Sequence, residues 1–120
     1  MKYLLLITMN PTIWETLTEE EKNEVFAGHD AFQGPLRDSG ELLGFVALAE
    51  PSRSITVRVR DGVLDATDGP YAEAKEFLAG YYAVECETPQ RAIELAGQIP
   101  DAKYTAIEVR PVMSEAGLEM

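Results

Sequence analysis

Apolar residues run almost unbroken from Tyr3 to Met9 until Asn10-Pro11 ends the run, a pattern that predicts a central strand covered on both faces. The following "NPTIWETL" reads as a loop. Thr18 stands three residues before Glu21, the spacing of a capping box that satisfies two free amides at a helix start. Val25, His29, Phe32 and Leu36 then recur at intervals of four, three and four, which places them on one helical face. Gly34-Pro35 interrupts the stripe. A mid-helix proline loses a backbone bond and clashes with the preceding turn, at a cost of about 3 kcal/mol, so a kink or break is expected there. Gly40 supplies a left-handed stop.

From Glu41 the run "ELLGFVALA" reads as a second strand ended by Glu50-Pro51. In "SITVRVR" Ile55, Val57 and Val59 alternate with Thr56, Arg58 and Arg60, the mark of a half-buried strand with its charges on the open face. Asp61-Gly62 is a strong hairpin signal, and "VLDAT" returns as the short partner. "YAEAKEFLA" is rich in helix formers and predicts a helix whose solvated side carries Glu73, Lys75 and Glu76. Beyond Gly80, "YYAVEC" reads as a strand. Thr88 caps a second long helix with Pro89 at its first position, and Ala92, Ile93, Leu95, Ala96 and Ile99 give it a buried face. Pro100-Asp101 stops it, and "YTAIEVRPV" makes the last strand.

With the hairpin set aside, the order is the βαββαβ pattern of an α+β, ferredoxin-like sheet with two helices on one face. Residues 1–113 form the domain and 114–120 a polar tail. If Val84 and Cys86 face the helices, alternation sends Tyr81, Ala83 and Glu85 the other way; if Ile107 and Val109 do, Glu108 and Arg110 face away. Tyr81 and the apolar positions of Leu42 to Leu48 argue against leaving that second face exposed. A homodimer with two sheets packed face to face around a partly polar cavity is therefore expected.

Composition narrows the partners. Twenty-one acids against ten bases leave a formal charge of minus 11, which disfavours nucleic acid and anionic membranes. Cys86, the single cysteine, precludes an intramolecular disulfide and offers no CxxC pair. The opening apolar run is too short to span a bilayer. A cytoplasmic chain is the expectation.

His29 is the single histidine, so imidazole chemistry near neutral pH falls to it, and a metal site built on two histidines is excluded. No HxxxH or HxE spacing supports a metal. The plainer account is a helix histidine with one nitrogen bonded and no catalytic role. Asp30 diverges from it by about 100 degrees on a helix and is a poor partner. Asp68, at a turn, is the better candidate. Asp68-Gly69-Pro70-Tyr71 carries turn chemistry at every position, so it reads either as a site or as a well-made corner. Arg58 or Arg110 are candidates to fix an anionic substrate group; Arg110 has the alternative of pairing with Glu108 on its own face or with Glu85. Trp14 and Tyr104 are candidate pocket aromatics with core or dimer packing as the alternative.

"TVRVRDG", "TDGPYAEAKEFLAGYYAVE", "RAIELAGQIP" and "IEVRPV" occur in an order and spacing that resembles the YCII-related family, and within it the DGPF branch, whose signature stands here as Asp68-Gly69-Pro70-Tyr71. Tyr71 replaces the usual phenylalanine, and Ala79 the second glycine of the usual "ETKEQLGG". The resemblance implies a ferredoxin-like fold assembled as a dimeric α/β barrel. It also implies a helix histidine and an aspartate as an acid–base pair, positions held here by His29 and Asp68; Tyr71 is a further candidate for contact with a substrate. The family's occurrence beside extracytoplasmic-function sigma factors implies a link to regulation.

Two functions from different classes follow. One is a cofactor-free acid–base enzyme, a lyase or isomerase that moves a proton or drives an elimination on a small cyclic or aromatic molecule. The other is a non-catalytic ligand-binding or regulatory interaction module.

Overall fold

The structure, a computed structural model, describes residues 1–72 and 74–117. The elements are β1 (Lys2–Met9), α1 (Pro11–Thr16), α2 (Glu19–Ser39), β2 (Leu42–Ala47), β3 (Ile55–Arg60), β4 (Val63–Asp68), β5 (Phe77–Glu85), α3 (Pro89–Gln98) and β6 (Ile107–Pro111), with short 3-10 helices at Pro51–Arg53 and Pro100–Lys103. Four strands form one sheet in the order β2-β5-β1-β6, all neighbours antiparallel, and β3-β4 make a separate two-stranded sheet. The architecture is α+β, compatible with a ferredoxin-like fold.

Local chemistry explains the element ends. Asn10 Oδ1 accepts from the amides of Thr12 and Ile13, which turns the expected loop "NPTIWETL" into the short helix α1 with Pro11 at its start. At α2 the capping box is complete: Glu21 N donates to Thr18 Oγ1 at 3.0 Å and Thr18 N donates to Glu21 Oε1 at 2.9 Å. The helix then runs through Pro35 without the expected break and ends at Gly40, whose φ of 82° is left-handed. Burial of Phe32 and Leu36 on either side of the proline offsets the lost backbone bond.

β1 alternates strictly, with Tyr3, Leu5, Ile7 and Met9 buried and the residues between them half-buried. Its unbroken apolar run thus serves one fully covered face and one partly open face. Tyr82 and Val84 on β5 join Leu95, Ile99 and Phe32 in the core, with Ile107 and Val109 packed against it, as alternation predicts. A register shift between Ile7 and Thr8 pairs Thr8 with Leu78. The bulge reverses the alternation of β5, so Ala79 packs on the core and Leu78 is exposed. Hence "YAEAKEFLA" is not the expected helix: Phe77–Ala79 belong to β5, and Ala74–Glu76 are irregular. Glu73 lies outside the described residues. On α3, Ile93 stands exposed at 54%, whereas Ala92, Leu95, Ala96 and Ile99 are buried. The tail is tied back by a Lys2–Glu115 ion pair and by Val112 N donating to Lys2 O.

Candidate active site

His29 lies where the apolar stripe of α2 meets the sheet, one residue after a close helix–turn contact. A Cβ on Gly28 would fall 2.5 Å from Pro100 Cγ, so glycine alone lets the 3-10 helix Pro100–Lys103 rest against α2. That approach sets Asp101 beside the imidazole. The Asp101 carbonyl accepts from the amides of Tyr104 and Thr105, and Thr105 Oγ1 donates to Thr8 O at 2.6 Å, which fastens the turn to β1.

Both ring nitrogens of His29 are engaged. Nε2 lies 2.6 Å from Asp101 Oδ1, and Nδ1 lies 2.8 Å from the Tyr82 hydroxyl. The proton positions follow from the rest of the network. Arg37 Nη2 donates to Gln33 Oε1 at 3.2 Å, so the Gln33 amide nitrogen donates to the Tyr82 oxygen at 3.1 Å. Tyr82 then donates to Nδ1, leaving Nε2–H for the Asp101 carboxylate. Tyr82 is fully buried, and burial above all pushes its hydroxyl up to about 12, with Asp101 and Asp30 adding to the rise and the Gln33 bond opposing it. It remains a neutral donor across physiological pH. Its ring stacks on Phe45, its cross-strand partner, with centroids 4.4 Å apart.

Asp101 is only 5% exposed, and its burial is offset by the His29 bond. Together His29, Gln33 and Asp101 form the polar pole of a cavity of about 640 Å³, a size suited to a small organic ligand. Ile7 and Met9 of β1, Phe45 of β2 and Phe77 of β5 line its sheet side, and Trp14 and Phe26 form an edge-to-face pair on the helix side.

Asp68, expected beside His29, stands instead in β4 opposite Ile55, and the carboxylate on His29 is Asp101. The reason is topological: the turn after α3 packs on α2, whereas Asp68 ends an exposed hairpin. Arg58 and Tyr71 do meet, the guanidinium lying 5.3 Å from the ring centroid, but neither is among the residues lining the cavity. Arg110 pairs with Glu108 and is likewise off its wall. Of the two candidate aromatics Trp14 lines the cavity, while Tyr104 lies beneath the Lys103 ammonium, 5.1 Å away.

Asp101, Tyr82 and Gln33 escaped the sequence reading. Gln33 carries a usable signal, being four residues after His29 and so on the same helix face. Tyr82 shares the parity of Val84. Asp101 has no such mark, since an aspartate after Ile99-Pro100 reads as an ordinary helix stop.

Fold and cavity together define a small α+β protein with a ligand-sized hollow ending on a His–Asp pair. Over residues 1–116 the chain matches the family model of the YCII-related domain, and it belongs to that family. It is similar to an uncharacterised protein of Rhizobium meliloti (strain 1021), 28% identical over 114 residues that span 93% of this chain and 92% of the relative.

Proposed function

We propose that this YCII-related protein is a cofactor-free acid–base enzyme that transfers a proton, or drives an elimination, on a small cyclic or aromatic molecule held in the cavity. The observation that carries this reading is the 2.6 Å His29–Asp101 bond at one end of a hollow whose wall also carries Ile7, Met9, Trp14, Phe26, Phe45 and Phe77. A proton removed from the substrate lodges on the His29–Asp101 pair. Tyr82 and Gln33 fix the imidazole plane and tautomer, as an orienting third group does for a catalytic base. Proton transfer by a positioned group contributes about 10² to 10⁴-fold.

The test is deuterium incorporation from D₂O into a panel of cyclic ketones and phenols, followed by proton NMR. Wild type is expected to accelerate exchange into at least one member, and His29→Gln and Asp101→Asn each to remove about 10² to 10⁴-fold of that acceleration. Acceleration that survives both changes overturns the assignment. One observation favours the second reading, a non-catalytic ligand-binding or regulatory module linked to sigma-factor signalling: both His29 nitrogens are already occupied. If no panel member exchanges faster than in buffer, while the His29 ring resonances still respond to ligands, the module reading takes over.

The quartet Asp68-Gly69-Pro70-Tyr71 supports placement in the DGPF branch, and the buried Cys86 thiol, pushed up by burial, suits a reducing cytoplasm. We also infer a homodimer, in which two sheets close a dimeric α/β barrel. Val46 and Leu78, 36% and 43% exposed, share the helix-free face with Leu4, Leu6 and Tyr81, an apolar surface that a second copy would cover. Light scattering at micromolar concentration is expected to give twice the chain mass; a monodisperse monomer would remove the barrel.

A further inference from the structure

The charge on the wall of the cavity selects among ligands. Four of its described lining residues, Glu15, Asp30, Glu50 and Asp101, carry carboxylates, and none is lysine or arginine. Three of these stand at the exposed rim while Asp101 is buried at the far pole. Two cations lie close by, neither of them on the wall of this cavity. Lys22 lies off the wall, over the Trp14 ring at 5.7 Å and within 3.7 Å of Glu19. Arg53 lines a smaller hollow that shares Leu48, Glu50, Pro51 and Phe77 with the main one. The field of the whole chain, formally minus 11, has the same sign as the rim.

The aromatic wall agrees with the charge. A ring face attracts cations, and the Lys22 ammonium over Trp14 already exploits one such face. An anionic substrate, by contrast, would enter past three carboxylates and meet no fixed positive group on the described wall. Arg58 and Arg110, the expected anion clamps, are not there.

We propose that the ligand of this cavity is an apolar, aromatic-sized amine that enters protonated, its ring among Trp14, Phe26 and Phe45 and its ammonium toward Glu15 and Glu50. The proposal rests on the reading of this cavity as the ligand site and adds the charge of what it takes.

Three probes sharing one ring system test it: naphthylmethylamine, naphthylmethanol and naphthoate, titrated by calorimetry with the His29 ring resonances followed by NMR. The amine is expected to bind about tenfold more tightly than the alcohol at low salt, with naphthoate weakest. Raising the salt to about 0.5 M is expected to shrink the gap, since the rim charges are exposed. Glu15→Gln with Glu50→Gln is expected to weaken the amine and leave the alcohol unchanged. If the alcohol shifts the His29 resonances and binds as tightly as the amine, or naphthoate binds best, the charge assignment fails while the cavity reading stands. If the amine binds without moving those resonances, it occupies another place and the proposal falls. Failure of all three probes to bind at millimolar concentration would overturn both.

Discussion

The four-stranded sheet and the β3–β4 hairpin are built from the same kind of sequence and come to opposite ends. In the sheet, alternation delivers Tyr3, Leu5, Tyr82 and Val84 to a core where none is more than 2% exposed. In the hairpin, pairing is continuous from Ile55↔Asp68 to Arg60↔Val63, and the turn takes the left-handed geometry it needs, with φ of 50° at Asp61 and 78° at Gly62. Yet Ile55, Val57, Val59, Val63 and Leu64 stand 56% to 67% exposed. The radius of gyration of 16.3 Å exceeds the ~13.6 Å that scaling gives for a compact chain of this length, as a projecting arm requires. Alternation therefore specifies the strand and its register, whereas burial depends on whether another layer comes to meet it. An isolated hairpin is marginal in water, so this arm is where a second copy of the chain would matter most.

Removing apolar bulk separates the two regions most widely. Leu5→Ala is expected to destabilise by about 2 to 5 kcal/mol, because it leaves a hole under both helices. Val57→Ala is expected to stay within about 0.5 kcal/mol, as for an exposed position. Urea melts of both variants across a range of protein concentrations check this. A Val57→Ala loss that grows with dilution would mean the hairpin is covered by association, and would bring the two regions closer together.

Glycine offers the next contrast. At Gly28 the constraint is space, and Gly28→Ala is expected to cost about 1 to 3 kcal/mol by forcing Pro100 off the helix. At Gly62 the constraint is backbone conformation alone, with nothing within 4 Å of an added Cβ, so Gly62→Ala is expected to cost about 1 to 2 kcal/mol. The two are told apart by the His29 ring resonances. Gly28→Ala should move them by parting Asp101 from Nε2; Gly62→Ala should not. Unmoved resonances in Gly28→Ala would show that the dyad does not depend on this close approach.

What could be read from the chain follows the same division. Signals carried within a few residues were legible: the Thr18–Glu21 box, the stop at Gly40, the Asp61-Gly62 turn, and the stripe that put His29 beside Val25 and Phe32. Features set by contact between distant segments were not. The partner of His29 lies 72 positions away, and nothing local separates a buried, bonded aspartate from a helix-stopping one. The bulge at Thr8 reversed the parity of Phe77 and Leu78 by a register change that only the pairing of β5 with β1 reveals. Without it, "AEAKEFLA" keeps its helix-forming composition and reads as a helix.

Charge pairs give the smallest effect, and they too divide by region. Arg91 grips Glu41 with two bonds, Nε to Oε2 at 2.9 Å and Nη2 to Oε1 at 3.0 Å, joining the start of α3 to the approach to β2. The Arg91 bond, helped by Ser39 and opposed by burial, lowers the Glu41 carboxyl below its ordinary range. A carboxyl lowered in the folded state stabilises the protein fully above its unfolded pKa, near 4.3, and loses that contribution as pH falls through the folded value. Stability at neutral pH therefore includes a Glu41 increment that acid removes. Glu41→Gln is expected to lower the neutral-pH melting temperature slightly and to flatten the decline between about pH 5 and pH 3. Asp65 stands opposite Arg58 in the hairpin register and both are exposed, a setting in which a surface charge contributes about 0 to 1 kcal/mol. Asp65→Asn should thus leave the acid limb unchanged. Melting curves of the two variants across that pH range decide the matter: equal flattening in both would mean that the hairpin's charges are held as firmly as those of the sheet.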